Sequence, residues 1–218
     1  MRITEIDKLY SRDFEGYDSI SFPDSQKDRL RPLPGRSGYF YYFSNNQYII
    51  NLVSPDKKKI VATLKLEPYN FPIPNTVQVY SISVDPRYRG QGLGLALYGI
   101  VLTIMGRTLV SGDQQTPSGR RMWTVLYNLQ RQIPNLAVRG YFTIADYDFD
   151  DEKDIPIIVG QLGSEYLGQL GLFHVFAFDV SPNIKGNELE ATIKTRFSKI
   201  YNNDSDIVNT VGLFARIE

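Results

Sequence analysis

The sequence of 218 residues is 42% hydrophobic and 22% charged, which is the length of one ordinary domain with enough apolar content for a core. It has no cysteine and one histidine, and this excludes disulfide scaffolds, thiol nucleophiles and cysteine-rich zinc sites. Its 24 basic and 24 acidic residues cancel, so no bulk positive charge indicates a nucleic-acid partner.

The first third of the chain is predicted to begin with a weak helix and a loop and to continue as an antiparallel β-meander. Asn45 and Asn46 tolerate the positive φ of a tight hairpin between the first two strands. Proline and glycine punctuate the loop before them. These elements are the weak helix at 7–17, the loop at 21–38, and strands at 39–44, 47–54 and 60–67.

The rest of the chain alternates strands and helices. Gly106 follows an apolar helix in the position that favours a left-handed cap. The single histidine, His174, lies in a predicted strand, so a structural role is favoured over that of a base in a serine triad. The predicted strands lie at 77–84, 108–111, 141–144, 155–160, 174–180 and 207–216, and the predicted helices at 93–105, 117–129 and 187–200.

This order of elements predicts a single α+β domain with a mixed, mostly antiparallel central sheet flanked by helices. We expect residues 1–76 to form an N-terminal helix, loop and meander, and residues 77–135 to form a ligand-binding core. Residues 136–218 are expected to complete the sheet and to add a C-terminal extension. No apolar run is long enough to span a membrane and no signal peptide is evident, so a cytoplasmic protein without a membrane partner is expected.

The most informative segment is the glycine-rich turn between the strand at 77–84 and the helix at 93–105. The strand ends before Pro86, and Gly90, Gly92 and Gly94 follow at alternate positions. Backbone N–H groups at such a turn converge with the positive end of the helix dipole and form a cradle for an anion. The sequence therefore predicts a phosphate-binding turn.

Three kinds of phosphate-binding motif have a glycine-rich turn of this type. The P-loop is excluded, since no Lys-Ser/Thr follows the glycines. A dinucleotide fingerprint would need glycine where Leu95 stands, although Asp113 imitates its ribose-binding acid, so a nucleotide-binding α/β protein stays an alternative. The third kind follows from a family resemblance.

The turn resembles motif A of the GNAT-superfamily N-acetyltransferases, whose signature is Arg/Gln-x-x-Gly-x-Gly/Ala after a strand. Arg89, Gly92 and Gly94 occupy the three fixed positions, and Pro86 and Tyr88 match common companions. The resemblance is specific over 77–106 and looser from there to 129. It implies a GNAT-like fold, acetyl-coenzyme A as co-substrate and no metal.

The resemblance also implies which residues hold acetyl-coenzyme A. Its pyrophosphate would lie on the turn, its pantetheine would pair with the end of the strand, and polar residues opening the next helix would approach its phosphates. The implied cofactor-binding residues are Ile82, Ser83, Val84, Arg87, Arg89, Gly90, Gln91, Gly92, Leu93, Gly94, Thr116 and Arg120.

Two catalytic positions depart from the family pattern. Gln78 stands where the family has a glutamate base, and Trp123 stands where it has a tyrosine acid, and neither side chain transfers a proton. The candidates for these roles are Tyr127, one turn beyond Trp123, together with Glu67, Tyr80 and Ser81 near the expected acetyl group.

An acidic segment at 146–154 holds six acids and one lysine, whereas residues 87–139 hold seven arginines and one acid. Asp151 stands where a calcium loop needs glycine, which excludes an EF-hand. The segment is interpreted as a solvated loop or as a surface that attracts a cationic amine acceptor.

The resulting hypothesis is an N-acetyltransferase that moves an acetyl group from acetyl-coenzyme A to a primary amine of a small molecule or a protein. The alternative is a catalytically weak GNAT-like protein that binds coenzyme A or a protein partner. The acceptor stays open, and a homodimer is compatible with the sequence.

Overall fold

The computed structural model of the chain describes residues 21–43, 47–112, 117–145, 151–180, 191, 193–195 and 208–218. The chain divides into two compact units. The first contains residues 1–67 and 78–104, and the second contains residues 68–77 and 105–218. The predicted helix at 7–17 lies outside the described residues, and of the predicted helix at 187–200 only 191 and 193–195 are described, all helical.

The strands of the first unit form the predicted meander. Their order is β1-β2-β3-β4-β5, and β1/β2, β2/β3 and β3/β4 are antiparallel. The elements are a 3₁₀ turn at Asp24–Arg29, β1 at Arg31–Pro32, β2 at Phe40–Phe43, β3 at Ile49–Val53, β4 at Ile60–Pro68 and β5 at Thr76–Val84.

Strand β4 is the centre of this meander, and five consecutive residues from Ile60 to Leu64 are buried. A strand that is buried at both odd and even positions is covered on both faces. Strand β5 differs, because from Val79 to Val84 no residue is fully buried and Tyr80 is 70% exposed. Strand β5 is therefore less covered from Val79 onward, in the part that leads into the glycine-rich turn.

The helix after the turn is α1 at Leu93–Gly99, and it continues as a π-helical turn at Ile100–Ile104. Leu93, Leu97 and Val101 recur every four residues and are buried, which is the spacing of one helix face. Gly106 has φ +60°, as the predicted left-handed cap requires. The predicted helix at 93–105 is confirmed.

The second unit is built around a longer antiparallel sheet, with the order β6-β10-β7-β9-β8. β7 and β10 pair from Val208↔Ile144 to Ile217↔Leu136, and β9 pairs with the other edge of β7. The elements are β6 at Thr108–Val110, α2 at Pro117–Leu129, β7 at Leu136–Ala145, α3 at Asp151–Leu162, β8 at Ser164–Leu170, β9 at Phe173–Phe178 and β10 at Val208–Ile217.

The predicted strand at 155–160 is wrong, because these residues lie inside helix α3. The run of Ile and Val favours a strand, and Pro156 removes the backbone hydrogen bond to residue 152. Ile155, Ile158, Val159 and Leu162 nevertheless pack against one apolar cluster, and their spacing of three and four is helical. The residues from Asp151 to Asp154 are thus the first turn of a helix rather than a loop, and acidic residues such as Glu152 and Asp154 are favourable near a helix N-terminus.

Strand β8 was not predicted. Its sequence contains Gly168, which has φ +134°, and the register against β9 shifts between Tyr166 and Gly168. Glycine inside a strand usually marks such a bulge and weakens the sequence signal for the strand.

The α+β class with a mostly antiparallel sheet and flanking helices is confirmed. The single domain expected from the sequence stays a prediction. Within the part of the chain described, no helix is long and apolar enough to cross a membrane.

Candidate functional site

The turn between β5 and α1 is fixed by a buried carboxylate. Asp85 is 2% exposed, and its Oδ1 accepts hydrogen bonds from the backbone N–H of Arg87 at 2.9 Å and from Arg87 Nε at 3.0 Å. Arg87 Nη2 donates to Oδ2 at 2.6 Å. These bonds lower the pKa of Asp85 below its ordinary value of 3.8. The Arg87 side chain, which is itself exposed, therefore holds the turn, and its charge is paired with the buried Asp85 carboxylate.

The glycines after Arg89 make the turn open to solvent. Gly90 has φ +76° and Gly92, which caps α1, has φ +73°, a region that other residues enter at a cost. Residues 90–92 are exposed, and among described residues no acceptor contacts the backbone N–H of 90–94. The first helical bond joins Ala96 N–H to the Gly92 carbonyl. A row of unaccepted donors at a helix start suits an anion.

The predicted pantetheine-pairing residues lie directly before the turn. Ile82, Ser83 and Val84 are half-buried at the end of β5, and the backbone N–H of Asp85 donates to the Val61 carbonyl of β4 at 2.9 Å. The Val84 carbonyl accepts a hydrogen bond from Arg89 Nε at 3.2 Å. The Arg89 guanidinium is exposed and, among the described residues, forms no ion pair with a carboxylate.

The loop between β1 and β2 lies against the turn. The Tyr39 hydroxyl donates to Gln91 Oε1 at 2.8 Å. Arg36 Nη2 would lie 2.5 Å from a Cβ added at Gly92. The sequence predicted only a proline- and glycine-rich loop at 21–38, and no motif links residues more than fifty positions apart. Both contacts belong to the first unit.

The candidates for proton transfer in the first unit differ in exposure. Gln78 is 6% exposed and therefore lies inside the protein, while Tyr80, two positions along the same face of β5, is largely exposed. Ser81 points to the opposite face and is half-buried, as is Glu67 near the end of β4. Glu67 is the one carboxylate among these four residues.

The remaining candidates belong to the second unit. Tyr127 on α2 is half-buried and packs against the apolar cluster that includes Phe142 and Phe176. Arg120, in the first turns of α2, is exposed. Thr116 lies outside the described residues. The roles of all these residues stay predictions.

The buried titratable side chains of His174 and Tyr98 have structural rather than catalytic environments. His174 is fully buried, and its Nδ1 lies 3.2 Å from the Tyr166 hydroxyl, which agrees with the structural role expected of it. Burial raises the pKa of Tyr98 on α1. Trp123 is 3% exposed, as expected of a core residue.

Among described residues, no group of three His, Cys, Asp or Glu side chains is arranged to hold a metal ion. Residues 146–150 of the acidic segment lie outside the described part of the chain. The hypothesis that this segment attracts a cationic acceptor stays a prediction.

Comparison with known proteins gives one family match. The model of the acetyltransferase (GNAT) family matches residues 3–110, which include β2 to β5, the turn and α1. No curated protein matches the chain.

Solved structures give weaker likenesses. The ribosomal-protein-S18-alanine N-acetyltransferase from Escherichia coli is 14% identical over 76% of this chain and 97% of that chain, with a TM-score of 0.32. A GNAT-family acetyltransferase from Bacillus anthracis is 12% identical over 61% of this chain and 66% of that chain, with a TM-score of 0.30. N-acetylglutamate synthase from Neisseria gonorrhoeae, complexed with coenzyme A and N-acetyl-glutamate, is 12% identical over 70% of this chain and 29% of that chain, with a TM-score of 0.29. Identities and TM-scores of this size establish no activity for the chain.

Proposed function

We propose that the protein transfers an acetyl group from acetyl-coenzyme A to a primary amine, on the premise that the model of the acetyltransferase (GNAT) family matches residues 3–110. The observation that carries the proposal is the exposed turn at 90–92, where backbone donors without an acceptor among the described residues precede helix α1. The turn at 90–92 lies within the residues that match the family model.

The residues of the turn fit the pyrophosphate of acetyl-coenzyme A. Glycine at 90 and 92 leaves the backbone accessible, and the donors from Gly90 to Gly94 suit the oxygens of a phosphate. Exposed Arg89 supplies a positive charge beside them. Ile82 to Val84 would pair with the pantetheine, and Arg120 and Thr116 stay proposed as further phosphate-binding residues.

The proposed reaction needs no redox chemistry and no metal. The neutral amine attacks the thioester carbonyl carbon, a C–N bond forms, and the C–S bond breaks to release the coenzyme A thiolate. One proton leaves the amine nitrogen, and one proton neutralises the thiolate. A backbone N–H of β5 near Val84 would stabilise the oxyanion of the tetrahedral intermediate.

Glu67 is the residue that we propose as the base for the amine proton. Gln78 is buried and carries no ionisable group, so the usual base is absent, whereas Glu67 is a half-buried carboxylate in the same unit. Tyr80, Ser81 and Tyr127 remain proposals for protonation of the leaving thiolate. Positioning of two substrates supplies a large part of the rate in such a transfer.

The first experiment is calorimetric titration of the protein with acetyl-coenzyme A, coenzyme A and NAD. We expect binding of both coenzyme A forms and no binding of NAD. Binding of NAD alone would favour the nucleotide-binding alternative, and absence of binding by either coenzyme A form would contradict the proposed function.

The second experiment measures thiol release from acetyl-coenzyme A with a thiol-reactive dye. The chain contains no cysteine, so the protein itself adds no thiol background. The acceptors are lysine, spermidine and a lysine-rich peptide, because the proposed acceptor is a cationic amine. We expect amine-dependent release, lowered about a hundredfold in kcat by Glu67→Gln without a change in coenzyme A affinity. Binding without release across the panel would favour a catalytically weak binding protein.

A further inference from the structure

We infer that Arg36 is a phosphate-binding residue that reaches the glycine-rich turn from outside the family motif and neutralises the pyrophosphate of the acyl donor. The inference rests on the proposed function, since that function supplies the pyrophosphate. It concerns a residue in the loop between β1 and β2, more than fifty positions before the turn.

The loop that carries Arg36 has a defined backbone. Leu33 N–H donates to the Tyr39 carbonyl at 2.9 Å, and Arg36 N–H donates to the Leu33 carbonyl at 3.2 Å. Leu33 is 5% exposed and anchors the base of the loop in the first unit. The Tyr39 hydroxyl ties the other end of the loop to Gln91 in the turn. The position of Arg36 beside the turn therefore follows from contacts on both sides of it.

The guanidinium itself lies against Gly92. Its Nη2 is 2.5 Å, and its Cζ 3.6 Å, from the position of a Cβ at Gly92. Arg36 thus occupies space that any side chain at Gly92 would need. Gly92 permits both the left-handed cap of α1 and the close approach of this guanidinium.

Among the described residues, the Arg36 guanidinium has no counterion. Arg87 is paired with Asp85, whereas among the described residues no carboxylate contacts Arg36 or Arg89. The backbone N–H groups at 90–92 also have no acceptor among the described residues. An anion bound at the turn would be attracted both by these donors and by the guanidinium.

A diphosphate matches this arrangement in charge and geometry. Backbone N–H groups of the turn would each donate to one phosphate oxygen, and the guanidinium would offer two parallel donors to a further pair of oxygens. The acetyl end carries no charge, so Arg36 is assigned to the nucleotide end of the donor. Arg36 is a binding residue in this account, and the chemistry of transfer does not depend on it.

The test measures affinity by calorimetry for coenzyme A and for 3′-dephospho-coenzyme A, which keeps the pyrophosphate and lacks the 3′-phosphate. The variants are Arg36→Ala, Arg36→Lys and Arg31→Ala. Arg31 is an exposed arginine on β1 that pairs with Tyr41 of β2, and its removal changes the net charge by the same amount. The thermal midpoint of each variant checks that it is folded.

We expect Arg36→Ala to weaken both ligands by about tenfold, and Arg36→Lys, which keeps the charge without the two-donor fork, by about threefold. Arg31→Ala is expected to change either affinity by less than about twofold. The loss in Arg36→Ala should shrink when the NaCl concentration is raised to about 0.5 M, because salt screens an exposed charge.

Three outcomes would overturn the inference while leaving the proposed function intact. These are unchanged affinity in Arg36→Ala, an equal loss in Arg31→Ala, and a loss for coenzyme A that is absent for the dephospho form, which would assign Arg36 to the 3′-phosphate. Wild-type protein that binds neither ligand would overturn the proposed function and this inference together.

Discussion

Glycine has opposite uses in the two units of this protein. At Gly90 and Gly92 in the first unit, the backbone has positive φ and faces solvent. At Gly140 and Gly212 in the second unit, the backbone is in a strand, and an aromatic ring from the neighbouring strand covers the glycine. The first arrangement leaves backbone donors accessible to solvent. In the second, an aromatic ring occupies the space that a side chain at the glycine would take.

The covered glycines show how the sheet of the second unit gains its packing. Phe178 lies directly across from Gly140, and Tyr141 lies directly across from Gly212. A Cβ at Gly140 would come within 2.7 Å of ring atoms Cε1 and Cε2 of Phe178, and a Cβ at Gly212 would come within 2.5 Å of Tyr141 Cε1. The absence of a side chain therefore permits aromatic packing at Gly140 and Gly212, and it leaves the backbone open to a ligand at Gly90 and Gly92.

The largest expected effect of a glycine substitution is that of Gly140→Ala. The added methyl group overlaps the Phe178 ring, which is 5% exposed and cannot move outward, so we expect the free energy of unfolding to fall by about 3 kcal/mol. Urea denaturation measures it. Gly160→Ala on helix α3 is the matched control, because nothing lies within 4 Å of its Cβ, and it should stabilise the protein by about 0.5–1 kcal/mol. Equal effects of the two variants would contradict the aromatic cover.

The next effect in size is that of Asp85→Asn, which removes the carboxylate that fixes the turn. We expect a loss of about 2 kcal/mol at pH 7, since Arg87 makes charged hydrogen bonds to this buried group. The pKa of folded Asp85 is below its ordinary value of 3.8, so the stabilisation is complete above that pH and is lost as the pH falls through the folded pKa.

Chemical denaturation of Asp85→Asn and the wild type from pH 7 to pH 2.5 tests this assignment. The difference between the two proteins should shrink below about pH 3.8. A difference that stays constant over this range would mean that the carboxylate charge is not what stabilises the turn. The cost of Gly140→Ala should not change in this way, because no titratable group takes part in that packing.

The turn could be predicted from the sequence and the loop beside it could not, for a physical reason. Alternating glycines after a strand constrain the local backbone, so Gly90 and Gly92 identify a phosphate-binding turn without any tertiary information. The contacts of Arg36 and Tyr39 with that turn depend on how the meander folds back, and no local pattern carries this. The family match covers both segments but assigns no role to Arg36.

Helix α3 shows the opposite case. Its sequence has the apolar spacing of a helix, but the strand preference of its β-branched residues was the stronger signal. Ile155, Ile158, Val159 and Leu162 have the spacing of a helix face, yet the β-branched residues favour a strand and Pro156 disfavours the interior of a helix. Packing against Phe142 and Phe176 decided the outcome. Tertiary burial outweighs local propensity when a segment is short and apolar.

A smaller effect is expected for Gly90→Ala, which tests only the cost of placing a non-glycine residue at positive φ. No atom lies within 4 Å of a Cβ at this position, so the cost comes only from φ +76° and should be about 1 kcal/mol in the free energy of unfolding. Gly90→Asn is the control, since asparagine enters the left-handed region more readily, and it should cost less than the alanine variant. If asparagine and alanine cost the same, steric or solvent effects rather than φ determine the choice of glycine.

The smallest effect concerns Tyr39→Phe, which removes the hydroxyl that ties the Arg36 loop to the turn. The hydrogen bond to Gln91 is exposed, so we expect only about 0.5 kcal/mol in stability. A double-mutant cycle with Gln91→Ala should give a coupling of similar size, because the two side chains lie in direct contact. If the loop positions Arg36 for a phosphate, coenzyme A affinity should also fall about twofold in Tyr39→Phe and should not fall further when Arg36 is already alanine. Additive losses in that second cycle would show that Tyr39 affects the ligand by a route that does not include Arg36.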